Sequence, residues 1–129
     1  MKYYVGHDIL EGAGDENMTI DIYEGYFKAD YVFDGVERRA VKVVLTCESG
    51  EGMVSYGIGL AFFPHVDEED YAVSYDAFME KELYKGKGRR SKKREEEMLR
   101  DLSGMCDDLA RQDGATIYWD CPLGKERTA

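Results

Sequence analysis

The chain has 129 residues, 43% of them hydrophobic, and a formal net charge of −10 at pH 7. This length suits one compact unit with its own core, so we predict a single α+β domain over residues 1–129. The longest apolar runs, 40–46 and 58–63, are too short to cross a bilayer, and residues 1–8 do not have the pattern of a signal peptide. The three cysteines form no Cys-x-x-Cys motif, which is typical of a reducing compartment, and we expect a cytoplasmic protein.

The first half of the chain predicts an antiparallel meander of about four to five strands. Alternating apolar and polar residues after Met18 indicate a long strand. Asp34-Gly35 follows it, and this pair favours a two-residue hairpin turn because both positions of a type I′ turn need positive φ. A glycine-containing stretch, 48–52, turns the chain again. The predicted strands cover 3–5, 18–33, 36–47 and 53–63.

The strand at 53–63 has two unlike faces. One carries large residues and the other carries Ser55, Gly57, Gly59 and Ala61. Glycine weakens a strand unless another backbone or a ligand approaches closely. We therefore expect a helix against the small face, with a bound ligand there as the alternative.

The second half predicts two helices and a returning strand. Four acidic residues, 67–70, precede apolar residues at roughly helical spacing up to Leu83, which indicates a first helix. The alternative is a short strand at 71–75 followed by a helix from Asp76. A stronger 3.6-residue pattern predicts a second helix over 92–112, ending at Asp113-Gly114. A strand at 115–119 follows, and a polar tail begins near Pro122.

A basic block, Lys85–Arg94, interrupts this acidic sequence. It holds seven of the 17 Lys and Arg residues: Lys85, Lys87, Arg89, Arg90, Lys92, Lys93 and Arg94. Such uneven charge usually concerns partners rather than folding. Three of these cations fall in the first turn of the second predicted helix, where the helix dipole disfavours positive charge. We expect compensation from the following glutamates, 95–97, or from an external anion.

The same block offers a possible anion-binding loop. Gly86, Gly88 and Ser91 flank the cations at a helix N-terminus, an arrangement suited to phosphate or carboxylate. Residues 84–91, the helix after them and 114–120 resemble the acyl-CoA pyrophosphate loop, helix and strand of GNAT acetyltransferases. The resemblance implies that backbone N–H groups of Gly86, Lys87, Gly88 and Ser91 hold a pyrophosphate. The chain departs from that family's pattern at Leu83, where an Arg or Gln is usual, and we assign no family on this basis.

Acidic residues form the other candidate site, with Asp67, Glu68, Glu69 and Asp70 as its densest cluster. Small acidic proteins can occupy the basic grooves of nucleic-acid enzymes, with carboxylates standing where phosphates would lie. Direct nucleic-acid binding is disfavoured by the net charge and by the absence of aromatic residues between Tyr84 and Tyr118.

We therefore predict a small acidic, cytoplasmic binding or inhibitor module that works by charge complementarity rather than catalysis. Its expected partner is a protein with a basic surface, for instance a nucleic-acid-handling enzyme of a phage or mobile element. The basic block, 85–94, would add a contact of opposite sign. The alternative is a binder or enzyme for a small phosphorylated, acyl-CoA-like ligand at that block, and a third hypothesis is a subunit of a tyrosine-rich oligomer. We expect no metal, no cofactor and no membrane contact.

Overall fold

The computed structural model describes residues 6–8, 18–64 and 77–122, which form six strands and one helix. The predicted edge strand at 3–5 and the acidic cluster at 67–70 lie outside the described residues, as does the chain after Pro122. The elements are β1 (Gly6–Asp8), β2 (Met18–Phe33), β3 (Val36–Gly50), β4 (Met53–Phe63), β5 (Ala77–Lys87), α1 (Lys92–Arg111) and β6 (Thr116–Pro122).

Strands β1 to β5 lie side by side in chain order, each antiparallel to the next. Two tight turns connect the long central strands. Asp34 and Gly35 have φ of 54° and 77°, and Glu51 and Gly52 have φ of 55° and 76°. Positive φ at both positions matches the right-handed twist of the flanking strands, so the hairpin predicted at Asp34-Gly35 is confirmed.

Strand β2 has a shared outer edge. Its first half pairs with β1 and its second half pairs with β6, where Ala29 lies opposite Ile117. Register shifts in the β2–β3 pairing bend this long strand between Asp21 and Tyr23 and again between Lys28 and Tyr31. The C-terminal strand β6 thus lies toward the opposite edge of the sheet from β5, and it contacts α1.

The main core lies between one face of the sheet and the helix. Large residues of β3 and β4, such as Leu45 and Leu60, are fully buried beneath Leu102 and Cys106 of α1. Burying a leucine side chain stabilises the fold by about 1.5–3 kcal/mol, so this layer is a main source of stability. The 3.6-residue pattern that predicted α1 is the pattern of its buried face.

The small face of β4 does not receive α1, which packs against the large face instead. The close approach that the glycines permit comes from the neighbouring strand. A Cβ added at Gly59 would lie 3.3 Å from the ring of Phe78, and one at Gly57 would lie 3.2 Å from the carbonyl oxygen of Lys81. Among the described residues no helix packs on this face, and the close approach of β5 accounts for Gly57 and Gly59.

The prediction of two helices is also wrong, because Ala77–Lys87 is strand β5 and the described residues contain a single helix. The apolar residues Phe78, Met79 and Leu83 matched a helical spacing. In the structure, Phe78 and Met79 lie on opposite faces of the strand, and a bulge after Glu82 disrupts the two-residue period that would have identified it. Pairing with β4 overrides the local pattern. The coarser prediction, an antiparallel meander with helix and returning strand, is confirmed.

In the described part of the chain, no helix has both the length and the apolar character needed to cross a membrane.

Candidate functional site

The basic block straddles the corner where β5 ends and α1 begins, and the helix start there is tightly fixed. Ser91 is the N-cap: its Oγ accepts a hydrogen bond from the Arg94 amide at 3.2 Å, and its carbonyl accepts one from the Glu95 amide at 2.9 Å. The Ser91 amide in turn donates to the hydroxyl of Tyr56 at 2.9 Å, which ties the loop to β4.

A buried carboxylate organises this corner. Glu95 is 7% exposed and accepts three hydrogen bonds: from the Tyr56 hydroxyl at 2.7 Å, from Arg90 Nε at 2.9 Å and from Arg90 Nη2 at 2.6 Å. Burial opposes ionisation of this carboxyl, but the hydrogen bonds from Arg90 and Tyr56 outweigh burial and hold its pKa below the ordinary value. Glu95 is therefore an anion at neutral pH, placed in the first turn where the helix dipole favours it.

The Tyr56 hydroxyl and the Cys47 thiol, both near this carboxylate, remain protonated at neutral pH. Burial is the main cause that raises the pKa of Tyr56, and it also raises the pKa of Cys47, which lies opposite Tyr56 on β3. A neutral buried thiol is a poor nucleophile. The hydrogen bonds of Tyr56 to Glu95 and to the Ser91 amide hold the corner together.

A second internal contact uses Arg94. Its guanidinium lies 3.9 Å from the ring centroid of Tyr84 on β5, a cation–π contact. Of the seven predicted binding cations, Arg90 and Arg94 therefore have partners within the fold. The sequence could not separate these two from the rest, because neither the burial of Glu95 beside Arg90 nor the approach of Tyr84 to Arg94 has a local sequence signal.

Five cations of the block remain exposed: Lys85 and Lys87 at the end of β5, Arg89 in the loop, and Lys92 and Lys93 in the first turn of α1. We call these five the basic corner. Within the part of the chain that the structure describes, none of them makes an ion pair. The structure thus gathers them at one corner and leaves their charge available to a partner.

The predicted anion loop has a different geometry from the one the glycines suggested. Gly86 and Lys87 belong to β5, with Gly86 opposite Val54. The amide of Gly88 donates to the Gly52 carbonyl at 2.8 Å, and the Ser91 amide donates to Tyr56. Two of the four amides that the resemblance implicated, those of Gly88 and Ser91, therefore already have acceptors within the protein.

The structure brings together acidic residues that the sequence did not single out. A groove of about 340 Å³ on the small face is lined by Glu48, Glu51 and Glu82, together with Lys85. A neighbouring depression of about 280 Å³ adds Glu80 and Lys81. The sequence carried no clear signal for this placement, because β5 lacks a regular apolar–polar alternation and is interrupted by the bulge after Glu82. Only the pairing with β4 brings Glu80 and Glu82 to the small face.

Among the residues described, no group of three His, Cys, Asp or Glu side chains could hold a metal ion. Comparisons of the chain with protein-family models, with curated proteins and with solved structures gave no match.

Proposed function

We propose that this protein is a binding module that recognises another protein by charge complementarity, with its acidic surface against a basic partner and the basic corner as a second contact of opposite sign. The observation that carries the proposal is the basic corner itself. Five exposed cations that make no ion pair among the described residues stand together in a chain of net charge −10.

The position of these cations supports an external partner. Lys92 and Lys93 occupy the first turn of α1, where the dipole disfavours each cation by about 0.3–1 kcal/mol. The acid in that turn, Glu95, is already engaged by Arg90 and Tyr56. Carboxylates of a partner that contact this turn would offset the unfavourable placement, which gives the corner a preference for acidic groups.

The exposed carboxylates near the basic corner favour a partner that carries both positive and negative charges. Solvent-facing carboxylates continue along α1 beyond its first turn, at Glu96, Glu97 and Asp101, so the sign of the surface changes over about two turns of helix. A surface with adjacent regions of opposite sign fixes the orientation of a partner and disfavours wrong ones, because like charges would then meet.

A protein is a better candidate than a nucleic acid. The Tyr84 ring at this corner is covered by Arg94, so it does not offer a free face for base stacking. The net charge of −10 repels polyanions. We propose as partner a nucleic-acid-handling enzyme, whose phosphate-binding groove would attract the acidic surface. We place this interaction in the cytoplasm, where the buried thiols of Cys47 and Cys106 would stay reduced.

The test is affinity capture with charge-matched variants, run with and without nuclease and over a range of NaCl concentrations. One bait carries R89Q/K92Q/K93Q, which neutralises the part of the basic corner in the loop and helix. The control bait carries K28Q/K81Q/R100Q, which removes the same charge from exposed cations elsewhere. We expect a protein partner that survives nuclease, weakens with salt and is depleted on the first variant only.

Capture that is lost on nuclease treatment would identify nucleic acid instead of a protein as the bound species. Binding indifferent to salt would contradict the mechanism, because exposed charges are screened within about 8–10 Å at physiological ionic strength. Equal losses for the two variants would show that net charge matters and that the corner does not.

A further inference from the structure

Strand β5 is the end strand of the sheet, and among the described residues no other strand pairs with its outer edge. It is 11 residues long, and its charged side chains at 80, 81, 82, 85 and 87 are all exposed. Unpaired edge strands present free backbone donors and acceptors, and proteins commonly protect them with charge. The order of the charges on β5 decides which strand it can accept.

A bulge aligns these charges on one face. In the pairing with β4, Glu80 and Glu82 lie opposite Gly59 and Gly57, while Lys85 and Lys87 lie opposite Ser55 and Met53, so all four share the face of the small residues. Glu82 and Lys85 are three residues apart and would lie on opposite faces of a regular strand. The register shift between them brings them to the same face.

The resulting row reads acid, acid, base, base along the strand. Such a row is antisymmetric about its centre, so it is complementary to itself when a second copy runs in the opposite direction. Within the described chain none of these four residues makes an ion pair.

We propose that β5 pairs antiparallel with β5 of a second copy of this chain, about a two-fold axis midway between Leu83 and Tyr84. In this register Glu82 lies opposite Lys85 of the second copy, and Glu80 lies opposite its Lys87. The axis is perpendicular to the sheet, so the two small-residue faces lie on the same side and all four ion pairs form on it. The two sheets become one continuous sheet across the interface, and the edge backbone groups gain partners.

The charge row selects against other occupants. A parallel copy would place like charges side by side, and an uncharged strand would leave four charges without partners. An antiparallel copy shifted by two residues would oppose Glu82 to Leu83 or Tyr84 to Lys85, pairing residues that lie on different faces. The order of charges and the bulge thus favour one partner in one register.

The experiment uses three charge variants of the whole chain, each measured by sedimentation equilibrium over a range of protein and salt concentrations. E80K/E82K makes the row wholly basic, and K85E/K87E makes it wholly acidic. The fourfold variant E80K/E82K/K85E/K87E inverts the row and remains complementary to itself. We expect the wild type at low salt to reach twice the chain mass of 14.7 kDa as concentration rises.

Each double variant should self-associate at least about tenfold more weakly than the wild type, since like charges then face each other at every pair. An equimolar mixture of the two double variants should form a heterodimer, because each row then meets its complement. The fourfold variant should associate like the wild type. Association restored in the mixture and in the fourfold variant would show that the double variants lose pairing and not folding. Circular dichroism checks the folding of each variant.

A wild type that stays monomeric at every concentration would overturn the proposal. So would double variants that associate as tightly as the wild type, or a mixture of them that stays monomeric. Dimerisation would engage Lys85 and Lys87 of the basic corner and leave Arg89, Lys92 and Lys93 for a foreign partner. The two proposals are tested separately, since R89Q/K92Q/K93Q lies outside the row. That variant should leave self-association unchanged, whereas it should reduce capture of a foreign partner.

Discussion

Glu95 is the residue whose removal should most disturb the junction between β5 and α1. In Glu95→Ala the Tyr56 hydroxyl and two nitrogens of Arg90 lose their acceptor. Breaking a buried charge pair by removing one partner costs about 3–5 kcal/mol. Two features reduce this loss of stability. The Arg90 side chain is 32% exposed and can turn toward water, and the Tyr56 oxygen still accepts a hydrogen bond from the Ser91 amide. We expect a loss of about 2–4 kcal/mol in the free energy of unfolding.

The assay is urea denaturation followed by the fluorescence of Trp119, the single tryptophan, whose indole N–H donates to Asp107 of α1 at 2.8 Å. Glu96→Ala is the matched control, because Glu96 is the next residue of α1 and its side chain is exposed. The free energy of unfolding of Glu96→Ala should differ from that of the wild type by no more than about 0.5 kcal/mol. The reasoning is refuted if the two variants lose equal stability, or if the midpoint of Glu95→Ala does not shift.

Two further predictions concern pH and the small face of β4. Because the folded state lowers the pKa of Glu95 below 4.5, its stabilising effect is complete above that pH and is lost as pH falls through the folded value. The stability difference between the wild type and Glu95→Gln should therefore narrow in denaturation curves taken from pH 7 to pH 3, and a constant difference would contradict this. Gly57→Ala should cost about 1 kcal/mol, because its Cβ would crowd the backbone carbonyl of Lys81. Gly59→Ala should change the free energy of unfolding by no more than about 0.5 kcal/mol, since the Phe78 ring that the new Cβ meets is 56% exposed and free to move. A larger loss of thermal stability for Gly59→Ala than for Gly57→Ala would refute this contrast.

The parts of the fold that the sequence predicts are those fixed by local chemistry. The β2–β3 hairpin follows from Asp34-Gly35, because few residues accept positive φ at both turn positions. Helix α1 follows from a long apolar period ending before Asp113-Gly114, and its observed range, Lys92–Arg111, agrees with the prediction to one residue. Both signals lie within a short stretch of chain and need no knowledge of distant contacts.

The parts that the sequence missed depend on contacts between distant segments. Strand β5 was predicted as helix because the bulge at Leu83 breaks its alternation, and only the pairing with β4 reveals the strand. The return of β6 to β2 also could not be foreseen, since adjacency in the chain favours a place beside β5. The small face of β4 suggested a helix, but a glycine accommodates a neighbouring strand equally well.

The candidate site shows the same division at the level of single side chains. The sequence located the basic block, and it anticipated that the first turn of α1 would need compensation. It did not show that Glu95 compensates from a buried position by binding Arg90, or that Arg94 lies over Tyr84. Arginine suits both internal contacts, because its planar fork binds a carboxylate through two nitrogens and stacks on an aromatic ring. All four lysines of the block are exposed, which accords with a compact, strongly hydrated ammonium that has no such contact within the described chain.

The bulge at Leu83 determines on which face of β5 two of these lysines, Lys85 and Lys87, lie. Because side chains alternate along a strand, one extra residue before Tyr84 reverses the face of every residue that follows it up to the end of β5. Without the bulge, Lys85 would lie on the opposite face of β5 from Glu80 and Glu82. The bulge therefore satisfies two requirements together. It keeps Tyr84 against the core and beneath Arg94, and it directs Lys85 and Lys87 to the face that already carries Glu80 and Glu82, which creates the self-complementary row.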